Sequence, residues 1–546
     1  MTRRELALTA LGIFAASLAV RAIFAAQIVF PKPEDTAYYV GVARNILEGR
    51  GVVSDALWSY STPPLVFPRP AFEIWLPLPT FLAAIPMALF GTSFAASQVS
   101  SVLIGAIVPV LGWRLALDVA TERGLGTERT RWVALGTGLT SAVYLPLVLN
   151  SALPDSTMLF GAIALGACLL MPRITTDPRG ARLTDPRLLG LGILLGLGAL
   201  TRNETVWLAL IWVVMARRTA GASAAERIRM IGVVAVVALV LFAPWALRDE
   251  AVFGNPLPGQ ALNNALYLTG YDLFAWNHPP TLARHLAIGA GALLQLRLTG
   301  IEHNLINVLL LLGLPVSALG VIALPWQARG YVMRPLVALS LVMFLVTSLL
   351  FPAATQWGTF LHAAAPVHVL LVLSGILALD AAGAWLGQRM HWERTVTWVG
   401  ALGSVAVSLM FSAVLLPSYG QGSRDTARHF EELGARMAAI GHPLDRSAGP
   451  VISNFPIWMA ETQRVDSLGL PDEPPADVLD LAAHFDGTKL LVLVGTAGSH
   501  WPADLRSGQP GADCFKPLDL GPYTGPGKDP LAETTVYAID CPAIRA

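Results

Sequence analysis

Pro33-Glu34-Asp35-Thr36-Ala37-Tyr38-Tyr39-Val40-Gly41-Val42-Ala43-Arg44-Asn45-Ile46-Leu47-Glu48-Gly49-Arg50-Gly51 begins where the first long apolar segment stops, so its acids fall at a membrane–water boundary. Asp35 is suited to cap a helix, its carboxylate accepting from backbone N–H groups two or three residues on. Gly49 supplies the left-handed residue that closes one. Between them Tyr39, Val42, Ala43 and Ile46 share a face, while Arg44 and Glu48 point elsewhere. The stretch is expected to be a short helix lying in the interface, with a carboxylate at its start.

The composition makes lipid the main solvent for the rest. Of 546 residues, 54% are hydrophobic and 14% charged, and the mean hydropathy is +0.57. A soluble chain carries roughly 25% charged residues. The zero net charge argues against nucleic acid as the main partner. A bilayer core takes about 20 apolar residues per helix. Eleven stretches are candidate spans: 6–30, 93–118, 132–150, 156–171, 188–201, 204–216, 230–247, 303–325, 335–352, 361–381 and 395–416. The first is too long for the core of a cleavable signal and reads as a retained anchor. Those at 188–201 and 204–216 are short enough to form a hairpin that does not fully cross.

A further apolar stretch, 74–90, contains Pro77, Pro79 and Pro86, and arginine placement decides whether it crosses. Arginine-rich linkers lie at Arg123/Arg129/Arg131, Arg173/Arg179/Arg182/Arg187, Arg217/Arg218/Arg227/Arg229, Arg329/Arg334 and Arg389/Arg394, with Arg3 and Arg4 before the first span. The loops 150–156 and 352–361 carry no Lys or Arg. If 74–90 stays at the interface or re-enters, all the arginine-rich linkers are cytoplasmic and the bare loops external. This predicts a cytoplasmic N-terminus, a transmembrane domain over 1–416 with external loops 31–92 and 248–302, and an external domain over 417–546.

In that tail, Arg424 to Ile440 has an amphipathic helical pattern. Val451–Phe455, Lys489–Gly495 and Thr534–Ile539 read as strands, so a small α/β domain is expected. Cys514 and Cys541 can pair if the tail is external, whereas Cys168 sits in an apolar run.

Two acids stand out on the predicted outer face. Asp35 suits general-base work on an acceptor hydroxyl, with a lipid-borne donor arriving from the bilayer; the plain alternative is a helix cap. Asp155, the ionisable residue of its turn, can orient the acceptor or merely cap the next span. Arg202 and Glu204 interrupt two apolar runs, where charge is costly unless it faces a cavity or a partner. Arg202 can hold a phosphate through two N–H groups, or pair only with Glu204. Arg69, Arg248 and Arg284 are further outer cations, each also explicable as a headgroup anchor. His278, His285, His303 and His362 lack metal-ligand spacing, so no metal is indicated, although a divalent ion stays open. Tyr38, Tyr39, Tyr60, Trp58, Trp75, Tyr267, Tyr271, Trp276 and Trp357 fit an aromatic belt, with some available to stack on a sugar. No phosphate-binding glycine loop, dinucleotide fingerprint, GxSxG or HExxH is present.

In order, these features resemble the GT-C membrane glycosyltransferases, above all bacterial relatives of dolichyl-phosphate-mannose–protein mannosyltransferases and lipid A aminoarabinose transferases. The resemblance covers roughly residues 6–380. It rests on Asp35-Thr-Ala-Tyr38-Tyr39 with Ala43-Arg44-Asn45 and Gly49-Arg50-Gly51, and on Phe67-Pro68-Arg69-Pro70 leading to Leu89-Phe90-Gly91-Thr92-Ser93. It continues with Asp155, Leu200-Thr201-Arg202-Asn203-Glu204, and Pro244-Trp245-Ala246-Leu247-Arg248 before Phe253-Gly254-Asn255-Pro256.

The resemblance implies inverting transfer of a sugar from a polyprenyl-phosphate donor to a glycan, lipid or protein acceptor on the outer face of a bacterial inner membrane, with no cofactor required. Asp35 matches the family's acid, Asp155 a position often Glu or Asp, and Arg202 and Arg248 basic positions near the donor phosphate. Arg69 is a further candidate there. Tyr38, Tyr39, Tyr60 and Glu204 are candidates for substrate contact. At Gly358-Thr359-Phe360-Leu361-His362 relatives commonly show Arg-Tyr, and His362 is the expected stand-in at the phosphate. The competing class is a transporter or flippase of lipid-linked sugars, which has no need of the early acid; the paired repeats common in transporters are not found here.

Overall fold

The computed structural model describes every residue except 1, 178–184, 260, 393–395, 496–500, 502, 507 and 542–546. Arg179, Arg182 and Arg394 therefore lie outside the described residues. The chain is mostly helical, and each of the eleven apolar stretches has a helical counterpart. Among the described residues, six helices are long and apolar enough to cross a bilayer: Arg3–Ala25, Phe94–Glu122, Ser156–Thr176, Ala224–Phe253, Ala365–Arg389 and Thr397–Ala439. The others are shorter or broken.

Proline sets the breaks. Thr127–Val143 and Leu145–Ser151 meet at 51°. Pro146 has no N–H to offer the carbonyl four residues back, that of Ala142. The wholly buried Arg21 supplies the donor instead, with Nη1 2.9 Å from that oxygen. The Ser412 hydroxyl donates to the adjacent Val143 carbonyl at 2.6 Å. The stretch expected as one span at 303–325 is divided into a π-helix His303–Leu310, a 3₁₀ turn Leu311–Gly313 and an α-helix Val316–Gln327. Pro315 lies at the last junction.

The Leu78–Phe90 helix is too short to span a bilayer by itself. Its 13 residues reach only about 20 Å at ~1.5 Å per residue. The Gln98 amide, near the start of the next long helix, donates to the carbonyls of Ala25 and Ile28 at 3.3 Å and of Ala152 at 2.9 Å. The start of Phe94–Glu122 is thus level with the end of Arg3–Ala25. Thr80, Ala83 and Met87 pack against the Glu34–Leu47 helix, while Phe81, Ile85, Leu89 and Phe90 are exposed where lipid would be.

The helices Pro186–Ala199 and Thr205–Arg217 are equally short, but as a pair they leave the count of sides unchanged. The arginine pattern then predicts that a cysteine at Ala220, in an exposed turn, is cytoplasmic, and one at Gly422 external. Cys168 is buried and Cys514 is bonded to Cys541, so the native thiols do not interfere. An impermeant maleimide on intact cells should modify position 422 and spare 220. The reverse result would put the arginine-rich turns outside.

The opening stretch forms the helix Glu34–Leu47, closed by Gly49 at φ 77°. It starts two residues earlier than a cap at Asp35 would place it. Pro33 holds the cap position with extended backbone, and Asp35 sits inside the first turn. There a carboxylate still gains from the helix dipole. Glu34 caps a different helix: its Oε1 accepts from the Ile457 N–H at 2.9 Å, at the start of Pro456–Gln463. Arg44, expected to point away from the packed face, is buried and paired with Glu461 of that same helix.

The tail is tied to the first loop in other ways. Thr397–Ala439 runs unbroken for 43 residues through the expected boundary at 416 and absorbs the amphipathic segment at 424–440. Its Ser423 hydroxyl accepts from the Val29 and Phe30 N–H groups at 3.0 and 2.9 Å. Beyond it lies a six-stranded sheet in the order Ala56–Leu57, Ser467–Gly469, Val451–Ser453, Leu490–Val494, Thr534–Ile539, Phe515–Pro517. The first three pairings are parallel and the last two antiparallel. Strands at the three expected places are present. The edge strand from the segment after the first helix was not foreseen.

Candidate active site

A cavity of about 390 Å³ lies where the first loop, the Thr201–Glu204 turn, the 261–273 segment and the 346–362 segment meet. Asp35, Tyr39, Arg202, Glu204 and His362 line it. Tyr39, Trp58, Trp75, Trp207, Tyr267 and Trp357 supply aromatic wall. Val206 and Val346 carry the lining to the Thr205–Arg217 and Arg334–Leu349 helices, which pack on each other. The outer faces of these two helices expose Leu210, Val214, Leu341 and Leu345. The cavity therefore adjoins apolar surface suited to lipid.

The carboxylate of Asp35 keeps a quarter of its surface open. Burial of the rest pushes it up to about 6, partly opposed by the nearby Arg202 charge and by a hydrogen bond from Trp75. Arg202 is the single arginine among the described lining residues. Its Nε and Nη2 donate to the two Glu204 oxygens at 3.0 and 2.7 Å, Nη1 to the Ser156 hydroxyl at 2.9 Å, and Nη2 also to the Thr359 carbonyl at 3.1 Å. The self-satisfied Arg–Glu pair and the cavity-facing arginine, alternatives in the sequence, are both present.

Asp155 does not reach the cavity wall. Its Oδ1 accepts from the Thr157 N–H at 2.8 Å, capping Ser156–Thr176, while its buried Oδ2 has no hydrogen-bond partner among the described residues. His362 stands between the two acids. Its Nε2 is 3.3 Å from Asp35 Oδ2, and its Nδ1 is 3.7 Å from Asp155 Oδ2 and 2.9 Å from Thr157 Oγ1.

The structure separates the remaining candidates from this cavity. Arg69 is buried, donates to the Thr62 carbonyl at 2.6 Å and pairs with Glu73. The Tyr38 hydroxyl accepts from the Phe72 N–H at 2.8 Å, inside a cluster with Trp58 and Trp75. The Tyr60 hydroxyl donates to the Gly469 carbonyl at 2.6 Å. These three hold the first loop together and onto the tail. Arg248 pairs with Asp249 at 2.8 Å and lies over Trp245 at 4.8 Å, and Arg284 pairs with Asp272 at 2.7 Å. Conversely, Ser156, Thr157 and Trp75 touch the key groups and were not singled out. The two hydroxyl residues carry adjacency to Asp155 as their signal, whereas Trp75 stood in the aromatic belt with nothing to set it apart. No metal-binding group of three or more His, Cys, Asp or Glu occurs among the described residues.

No protein-family model matches this chain, and no curated protein matches its sequence. Solved structures do. ArnT from Cupriavidus metallidurans bound to undecaprenyl phosphate superposes with a TM-score of 0.57 at 12% identity, over 98% of this chain and 98% of that one. The same protein in the apo state gives 0.53 over the same shares. The Archaeoglobus fulgidus oligosaccharyltransferase in complex with Zn and sulfate gives 0.51 at 15% identity, over 87% of this chain and 67% of that one. At these identities the likeness is one of fold. The chain is a multi-pass membrane protein with the GT-C fold.

Proposed function

We propose that this chain is a glycosyltransferase that moves a sugar, hexosyl or pentosyl, from a polyprenyl-phosphate donor to a hydroxyl on a glycan, lipid or protein acceptor. The reaction lies on the extracytoplasmic face of a bacterial inner membrane, with residues 417–546 on that side. The observation that carries this reading is that Asp35 and Arg202 share one cavity adjoining apolar, lipid-suited surface. The similar structures support it: ArnT from Cupriavidus metallidurans is bound to undecaprenyl phosphate.

The step follows from the groups present. Asp35 takes the proton of the acceptor O–H as its oxygen bonds to the anomeric carbon. The bond from that carbon to the phosphate oxygen breaks with its electron pair, and polyprenyl phosphate departs. Arg202, with the polar groups around it, offsets the charge gathering on phosphate. A phosphate so paired is already a good leaving group, so no step calls on a cofactor. A single displacement inverts the anomeric configuration.

Membranes from a strain lacking the chain, which retain the acceptor, provide the test. With the purified protein and radiolabelled polyprenyl-phosphate sugars, label should enter a glycosidic product of inverted configuration. Label that stays lipid-linked and only changes leaflet would identify a transporter instead.

A further inference from the structure

We propose that His362 is a positioning residue for Asp35, held in register by the turn Asp155-Ser156-Thr157, and not a ligand of the donor phosphate. This rests on the reading of Asp35 as the base. Both ring nitrogens already face protein oxygens: Nδ1 the Thr157 hydroxyl at 2.9 Å, and Nε2 the Asp35 carboxylate at 3.3 Å. The side chain is 5% exposed, which leaves no nitrogen open to a phosphate. If the Thr157 hydroxyl donates to Nδ1, the neutral ring carries its proton on Nε2, pointing at Asp35. One carboxylate oxygen is thereby fixed and the other left for the acceptor hydroxyl.

The turn that sets this up is itself locked. Asp155 Oδ1 holds the Thr157 N–H at 2.8 Å, and the intervening Ser156 takes Arg202 Nη1 at 2.9 Å. Three consecutive residues thus position both the imidazole behind the base and the cation beside it. The ring's seat also depends on Gly358, at φ 114°, where a Cβ would come within 3.1 Å of the imidazole Cδ2 and Nε2. The departure from Arg-Tyr in this segment places an imidazole behind the acid instead of a cation at the phosphate.

The test compares kcat and donor KM across pH for the full chain and for His362→Ala, His362→Gln, Thr157→Val and Asp35→Asn. Misplacing a reacting group by about 1 Å can cost ~10²-fold. His362→Ala should lower kcat about 10- to 100-fold with donor KM nearly unchanged. Its acid limb should move to higher pH, because a donor aimed at a carboxylate favours the charged form. The other groups whose charge or hydrogen bond reaches Asp35 (Arg202, Trp75, Tyr39, Asp155 and the neighbouring Glu34) are unchanged in that variant. His362→Gln, whose amide can still donate but cannot titrate, should recover much of the rate. Thr157→Val should shift kcat and the acid limb in the same direction, and it decides the matter if His362→Ala does not fold.

A wild-type kcat and pH profile in His362→Ala or Thr157→Val would overturn the proposal. So would a rise in donor KM alone, which would make His362 a phosphate ligand. Asp35→Asn separates the two levels. Full activity there removes the parent reading, whereas an inactive Asp35→Asn beside a fully active His362→Ala removes only this one.

Discussion

Asp35→Asn is expected to lower sugar transfer by about 10²- to 10⁴-fold, the range in which a positioned general base contributes, while the protein inserts and folds as before. Asparagine keeps the shape and the hydrogen bond from Trp75 but cannot accept a proton. It also removes a charge that burial disfavours: the carboxylate is pushed up to about 6 despite Arg202 nearby. The loss should therefore fall on rate and leave thermal stability intact.

The pH dependence has a definite sign. The base works only when ionised, so below a titration point near 6 the wild-type kcat/KM should fall about tenfold per pH unit. Above it the rate should level off. The residual rate of Asp35→Asn should lack that limb. Full activity in the variant, or a limb that survives it, would assign the base elsewhere.

Arg202→Gln is the second large effect, and Glu204→Gln is its control. The guanidinium is 13% exposed and makes a two-point contact with Glu204. Removing the arginine should weaken retention of polyprenyl phosphate and lower kcat/KM by about 10²-fold or more, as expected when a charge-paired hydrogen bond to a desolvated oxyanion is lost. It also leaves Glu204 unpaired in a low-dielectric site, a situation that costs about 3–5 kcal/mol in fully buried pairs. A loss of stability in Arg202→Gln would thus accompany the loss of affinity.

Glu204→Gln separates these causes. It frees the guanidinium from its internal partner, so polyprenyl phosphate should bind as tightly or more tightly. If Arg202 served only to neutralise Glu204, the two variants would lose activity together. Titration of purified protein with undecaprenyl phosphate, read by thermal shift, distinguishes the outcomes.

The helical part was legible because its signals are local. Apolar length marks a helix, glycine closes Glu34–Leu47, and proline marks where the long apolar stretches break. The sequence also brought forward Asp35, Arg202, Glu204, Tyr39 and His362, which the structure gathers around one cavity. What it could not supply were pairings between distant residues. Ala56–Leu57 is two residues long and becomes a strand only because Ser467–Gly469 lies beside it. Arg44 looks like the solvated side of an amphipathic helix until Glu461 is placed against it. Tyr38, Tyr60 and Arg69 carried chemistry suited to a substrate, yet their polar ends are taken by Phe72, Gly469 and Glu73. Composition does not reveal whether a polar group is already satisfied. The same holds for His362, whose place behind Asp35 depends on Thr157, 205 residues away.

The most direct measurement is a structure of Asp35→Asn, slow enough to keep its substrate, with a polyprenyl-phosphate sugar bound. The expected density places the phosphate at Arg202, the sugar between the aromatic walls with its anomeric carbon facing residue 35, and the prenyl chain along the Thr205–Arg217 and Arg334–Leu349 helices. A phosphate seated at Arg248 or Arg284, with the cavity at residue 35 unoccupied, would contradict the assignment of this site.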